Sequence, residues 1–197
     1  MRVFVSCAIL LAFAGTATAQ NLLVNGEFDS DLSGWLIDAA ASPAPVWEGF
    51  DVDDPARSGA VRVGNASPEA MNRLYPLEQC IALTAPGPYR IVARGYIPPG
   101  QGAGKLVVSY WLSLDNPDCP QWQGSQSGGG NYITTIGGWG RYEQSITATM
   151  PSPIPPNARI KISLGVEKDA AGGEFFGYFD AISVFGDAVF ADGFDTP

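Results

Sequence analysis

Histidine is absent from all 197 residues. Its absence removes Ser-His-Asp hydrolysis, imidazole metal ligation and the commonest general base together. Charge is sparse: Asp, Glu, Lys and Arg make up 16% of the chain, too little for a coiled coil or a solvated acidic tail. No window sustains apolar residues at i, i+3, i+4, i+7, so no amphipathic helix is predicted. Past residue 19 no apolar run is long enough to cross a bilayer. Cysteine is scarce too, at three. What is abundant is apolar residues at 46%, with 24 Gly and 16 Pro. That mixture describes a turn-rich globular chain with enough residues to bury a core as one domain.

The first nineteen residues read as a secretory leader: Arg2, an apolar run from Val3 to Gly15, and the small residues Ala17-Thr18-Ala19 before the cut. The expected organisation is a leader at 1–19, one domain at 20–186 and a short tail at 187–197. Export places the protein outside the cytosol, secreted or periplasmic. With Arg2 removed, the acids outnumber the bases two to one, a poor surface for nucleic acid or anionic membrane. No membrane insertion is expected. Cys7 leaves with the leader, and the remaining pair, Cys80 and Cys119, is expected to be a disulfide in an oxidising compartment. Two free thiols are the alternative.

Alternation with period two recurs along the chain, broken by Gly and Pro. It predicts strands at Asn21–Phe28, Trp35–Ile37, Val46–Phe50, Ala60–Val63, Leu77–Leu83, Tyr89–Ile97, Lys105–Leu114, Arg141–Thr149 and Ala158–Val166. In Lys105–Leu114, Leu106, Val108, Tyr110 and Leu112 share one face, and Val107, Ser109, Trp111 and Ser113 share the other. One buried and one solvated face per strand is antiparallel behaviour. With no helix to cover a face, the fold class predicted is all-β, a two-sheet antiparallel β-sandwich. Between Cys119 and Arg141 a long glycine-rich loop carrying Trp122, Tyr132 and Trp139 is expected, of a length that is usually functional or disordered.

Four segments, in order, carry a resemblance: Asn21-Leu22-Leu23-Val24-Asn25-Gly26-Glu27-Phe28-Asp29 followed by Gly34-Trp35; Ser58-Gly59-Ala60-Val61-Arg62-Val63; Gly138-Trp139-Gly140-Arg141-Tyr142-Glu143; and Gly177-Tyr178-Phe179-Asp180-Ala181-Ile182-Ser183-Val184. Together they resemble carbohydrate-binding modules that accompany xylanases and glucanases, of the groups numbered 4, 9 and 22. Those modules have a galactose-binding-like jelly-roll sandwich. The ending Phe190-Ala191-Asp192-Gly193-Phe194-Asp195 is similar to tails on secreted proteins of gammaproteobacteria, which implies a Gram-negative source.

The resemblance implies neighbouring first and last strands with a structural calcium near their ends. Asp180 shares strand parity with Ile182 and Val184, so it is expected to point inward, where a lone carboxylate is costly. A Ca²⁺ held by Asp29 and Asp180, with Glu27 and carbonyls near Gly59, is one solution. An arginine partner or backbone N–H donors for Asp180 is the other. Sugar binding needs flat rings for pyranose faces and polar groups for hydroxyls. One expected place is a sheet face carrying Trp111, Ser109, Arg90, Arg94 and Tyr96 on adjacent strands; the other is the long loop with Trp122, Gln121, Gln123, Tyr132 and Trp139. Trp35 and Trp139 are expected in the core. The function so predicted is a secreted, non-catalytic, monomeric protein that binds a polysaccharide or glycan. The alternatives are a structural or adhesive sandwich with no small-molecule ligand, and a carboxylate-based glycosidase or lyase.

Overall fold

A computed structural model describes residues 20–52, 58–84, 87–116, 118–119, 127–146 and 152–186. The expected leader, Gln121, Trp122, Gln123 and the tail lie outside these residues. The ten strands are β1 (Leu36–Ile37), β2 (Val46–Glu48), β3 (Ala60–Asn65), β4 (Asn72–Ala82), β5 (Tyr89–Tyr96), β6 (Gly104–Ser113), β7 (Ser127–Ile133), β8 (Trp139–Ile146), β9 (Arg159–Lys168) and β10 (Phe175–Gly186). Sheet one has the order β1-β4-β9-β6-β7 and sheet two the order β2-β3-β10-β5-β8. All strand pairs are antiparallel. The predicted all-β antiparallel sandwich is the fold. No helix among the described residues is long and apolar enough to cross a membrane.

The alternation places the core. Leu106 and Val108 of β6 and Ile160, Ile162, Leu164 and Val166 of β9 are fully buried, against Val61, Ile91, Phe179 and Val184 of sheet two. Burial of such side chains stabilises by about 1.5–3 kcal/mol each. Yet β6 and β9 are buried on both faces: Val107, Ser109, Lys161 and Ser163 point away from the core and are no more than 4% exposed. They lie on two of the three strands of sheet one that have a neighbour on each side.

Several expected elements take another form. Asn21–Phe28 is not a strand, because Asn25 and Phe28 adopt left-handed φ values of 51° and 47°. Side chains replace the ladder there. Asn21 Oδ1 accepts Val184 N–H at 2.9 Å and Asn21 Nδ2 donates to Ile182 O at 3.0 Å. Leu22 N–H donates to Val184 O, and Ile182 N–H donates to Gly26 O. The opening segment therefore does lie along β10. At Gly26 a Cβ would sit 2.0 Å from Ile182 O, so only glycine lets the two backbones approach this closely. The Asn-Gly of the opening motif is thus a packing requirement. Trp35 joins the same knot, stacked on Phe28 with its Nε1–H donating to Asn25 O at 3.1 Å.

The long loop contains a strand. Residues 127–133 pair with β6 as β7, a Gly-Gly-Gly run that strand propensity discourages and that its position beside β6 overrides. The third correction concerns topology. β5 and β6 follow each other in sequence but belong to opposite sheets, so the face proposed to join Trp111 with Arg90, Arg94 and Tyr96 does not exist.

Candidate functional site

The outer face of sheet one carries a groove. β4, β9, β6 and β7 present residues in rows fixed by register: Glu78, Ser163, Ser109 and Gly130 in one row, Cys80, Lys161, Trp111 and Gly128 in the next. A cavity of about 140 Å³ is lined by Arg73, Tyr75, Val107, Ser109, Trp111, Asn131 and Tyr132 among others. A second, of about 300 Å³, continues beyond Tyr75 to Leu36, Ile37, Asp38 and Glu78. Tyr75 lines both, so the two cavities are neighbours on sheet one, one toward β7 and the other toward β1. Leu36 and Ile37 are 61% and 46% exposed at the β1 end.

The glycines of β7 shape the floor. A Cβ at Gly128 would lie 2.3 Å from Trp111 Cε3; without one, the indole lies across the β7 backbone as a half-buried flat surface. Tyr75 covers Gly165 of β9 in the same way. The glycine run is the signal that a platform exists, and sequence reasoning assigned it to a loop. Ser109 lines the same cavity, and its Oγ is buried with no hydrogen-bond partner among the described residues. A buried hydroxyl without a partner costs free energy, and here it faces a groove.

An ion cluster fixes one end. Glu167, only 5% exposed, accepts Arg73 Nε–H at 2.6 Å and pairs with Lys105 Nζ at 2.9 Å. Tyr132 O–H donates to the same carboxylate at 3.4 Å, and Lys105 Nζ sits 4.7 Å from the Tyr132 ring centroid. Burial by itself would raise the Glu167 carboxyl; the hydrogen bonds from Lys105 and Arg73 overcome it and hold it below its ordinary value. Tyr132 is 40% exposed but held from two sides. Near the middle, Glu78 accepts Ser163 O–H at 2.9 Å and pairs with Lys161 at 3.1 Å.

The other expected sugar-reading residues lie on the outer face of sheet two. Tyr96 contacts Phe50, Trp139 and Tyr178, with ring centroids 5.1–6.2 Å apart, and Phe50 stacks on Trp139 at 5.2 Å. Trp139 is therefore an outer-face residue and not a core one. Arg90 reaches Glu143 at 3.5 Å, and Arg94 stands opposite Asp180 and Arg141 in register. These rings mostly cover one another.

Asp180 is buried, but not by parity with Ile182. A bulge at Ala181, φ 50°, shifts the register between Asp180 and Ser183, which leaves Asp180 on the outer face with Tyr178. The segment after β2 lies over it. Val52 N–H donates to Asp180 Oδ2 at 3.0 Å and Ala181 N–H to Oδ1 at 2.7 Å. Desolvation raises its pKa to about 7, against those two bonds, with the charges of Asp51 and Glu27 adding to the rise. Of the expected calcium ligands, then, Glu27 acts on Asp180. Asp29 has an exposed carboxylate, and Gly59 N–H donates to Phe28 O. Asp51 is buried and accepts Ser58 N–H and O–H. No group of three or more acidic, Cys or His side chains converges on one point among the described residues. A cation at Asp180 would need backbone carbonyls to complete its shell, and a desolvated carboxylate among acids has the chemistry for that role.

The expected disulfide is not formed: Cys80 and Cys119 are both free and half-buried. The two thiols are nevertheless adjacent, hydrogen-bonded to each other.

No family model and no curated protein matches this sequence. Its similarities are to solved structures. One is a CBM61 module in complex with β-1,4-galactotriose: TM-score 0.51, 17% identity, 85% of this chain and 99% of that one. Another is a Clostridium thermocellum xylanase 10B with its CBM22 and GH10 modules, complexed with xylohexaose: TM-score 0.52, 12% identity, 86% of this chain but 29% of that one. A third is the enzymatically active domain of a bacteriophage CBA120 tailspike protein: TM-score 0.55, 15% identity, 84% of this chain and 21% of that one. The chain thus spans under a third of the length of the last two. Identities this low show the fold, a β-sandwich of the kind that carbohydrate-binding modules have.

Proposed function

We propose that this chain is an exported, non-catalytic protein that holds a neutral glycan chain in the outer-face groove of sheet one. The observation that carries the reading is Ser109. Its hydroxyl is buried and unpartnered at the groove floor, beside Trp111 and Tyr132. Rings for sugar faces and an orphan hydroxyl for a sugar hydroxyl are the two things sugar recognition in water requires. Two neighbouring cavities that share Tyr75 suit several linked sugar rings better than a single one. Arg73 and Lys105 are neutralised by Glu167 and Asp169, which favours an uncharged chain.

A non-catalytic role is supported by the pairing of two acids at the groove. Glu78 and Glu167 both stand in ion pairs, and Glu78 lies opposite Ser163, four residues along β9 from Glu167. Calcium at Asp180, with Glu27 and nearby carbonyls, would stabilise the fold and take no part in binding.

The test is retention of the purified chain in gels containing soluble polysaccharides, with reducing sugar assayed in parallel. Retarded migration without sugar release, abolished in Trp111→Ala, is the expected result. No retardation by any polysaccharide leaves a structural sandwich, and released sugar makes the chain an enzyme.

A further inference from the structure

Arg73 joins two strands of sheet one that are not neighbours. Tyr75 stands in a bulge of β4 between Leu74 and Leu77 and covers Gly165 of β9, where a Cβ would lie 2.7 Å from Tyr75 Cδ1. Tyr132 of β7 is opposite Val107 of β6, and Val107 is opposite Gly165. The two tyrosines therefore end one row, with β9 and β6 between them. Their hydroxyls meet at one guanidinium. Arg73 Nη1–H donates to the Tyr75 hydroxyl at 3.3 Å, Nη2–H donates to the Tyr132 hydroxyl, and Nε–H donates to Glu167 Oε2 at 2.6 Å. Tyr132 O–H donates in turn to the same Glu167 oxygen at 3.4 Å.

We propose that Arg73 is a specificity-determining residue: by tying Tyr75 to Tyr132 it makes a fixed wall on one side of the groove and restricts the groove to an unbranched glycan chain. The inference rests on the glycan reading and adds the class of chain. Val107, Ser109 and Trp111 follow one another at two-residue steps on the outer face of β6. The tyrosine row and the Trp111 row thus flank Ser109 on either side, each about 7 Å away along the strand. The cavity they enclose is about 140 Å³, below the roughly 300–1,000 Å³ of pockets that take drug-sized ligands. That leaves width for one chain and none for a side branch. The wall is stiff, because the guanidinium is a planar fork with fixed donor directions and Glu167, which anchors it, is buried. Both phenol oxygens are engaged by Arg73, so the wall acts on a ligand through its bulk.

The experiment measures how the full chain migrates against polysaccharide concentration in three matched pairs of gels: β-glucan and xyloglucan, glucomannan and galactomannan, debranched and native arabinoxylan. The unbranched member of at least one pair is expected to bind roughly tenfold more tightly than its branched counterpart. Arg73→Lys keeps a charge beside Glu167 but loses the fork; Tyr132→Phe keeps the ring but loses the tie. Each is expected to cut the ratio to about threefold or less. The double variant is expected to cut it no further, since both changes break one contact. Should Arg73→Lys not fold, Tyr132→Phe alone decides. The inference is overturned if branched and unbranched members bind equally to the wild-type chain, or if either folded variant keeps the wild-type ratio. A wild-type chain that no polysaccharide retards overturns the glycan reading itself, and this inference with it.

Discussion

The outer faces of the two sheets carry similar inventories and dispose of them in opposite ways. Each has aromatic rings, arginines and a buried carboxylate. On sheet two Phe50, Tyr96, Trp139 and Tyr178 pack on one another, so each ring's partner is another ring of the protein. On sheet one Trp111 and Tyr75 lie over glycine backbones, which leaves ring surface facing a cavity. The carboxylates part in the same sense. Glu167 meets two cations and its pKa falls; among the described residues Asp180 meets two backbone N–H groups and other acids, and its pKa climbs to about 7. An aromatic residue on an outer strand face therefore says little about ligands until its covering is known.

The largest effect expected from this contrast concerns Asp180. Its folded pKa lies above its ordinary 3.8, so ionisation is penalised in the folded state, and stability should fall as pH rises from about 4 to about 7. In EDTA this should amount to about 2–4 kcal/mol in chemical denaturation; calcium should abolish the slope, and Asp180→Asn should remove both the slope and the calcium effect. A flat pH profile in EDTA would sink the account of this face. Next come the two tryptophans. Trp139→Ala should lower stability by about 2 kcal/mol and leave polysaccharide retention intact. Trp111→Ala should weaken retention roughly tenfold or more with a smaller loss of stability. If Trp139→Ala is the one that abolishes retention, the faces have been assigned the wrong way round.

Smaller still is Ser109→Ala. Removal of a hydroxyl with no protein partner should not destabilise the chain, whereas affinity should drop about three- to tenfold. A stability loss above about 1 kcal/mol would mean the hydroxyl already had a partner. The smallest effect belongs to Glu167. Because its folded pKa is depressed, its contribution is present above pH 4.5 and is lost as pH falls through the lowered value. Tyr132 fluorescence and retention should both change only below about pH 4.5, in the reverse sense to the Asp180 profile.

Much of the molecule was legible in the residues. Alternation in Lys105–Leu114 and Ala158–Val166 named the inward side chains correctly, because period two is a property of the strand itself. The Asn-Gly and Gly-Trp of the opening motif were legible too, as local chemistry that ties the chain to β10. Of the candidate site Trp111 and Ser109 were placed on one strand face and Tyr132 in the loop, but not together. Tyr75 and Tyr132 reached the groove through register and sheet order, which link residues far apart in sequence. Arg90, Arg94 and Tyr96 were misassigned because the chain crosses to the other sheet between β5 and β6, a choice that no alternation pattern records. The bulge at Ala181 likewise resets parity without a glycine or proline to announce it.

The residues alone determined that the chain has strands and no amphipathic helix, which strand faces are apolar, and that imidazole takes no part in its chemistry, since these depend on composition and on neighbours two positions away. Tertiary structure decided which strands share a sheet, which rings are covered and which buried polar groups find partners. Those outcomes depend on where distant segments come to rest, and burial and pairing exist only once they have met.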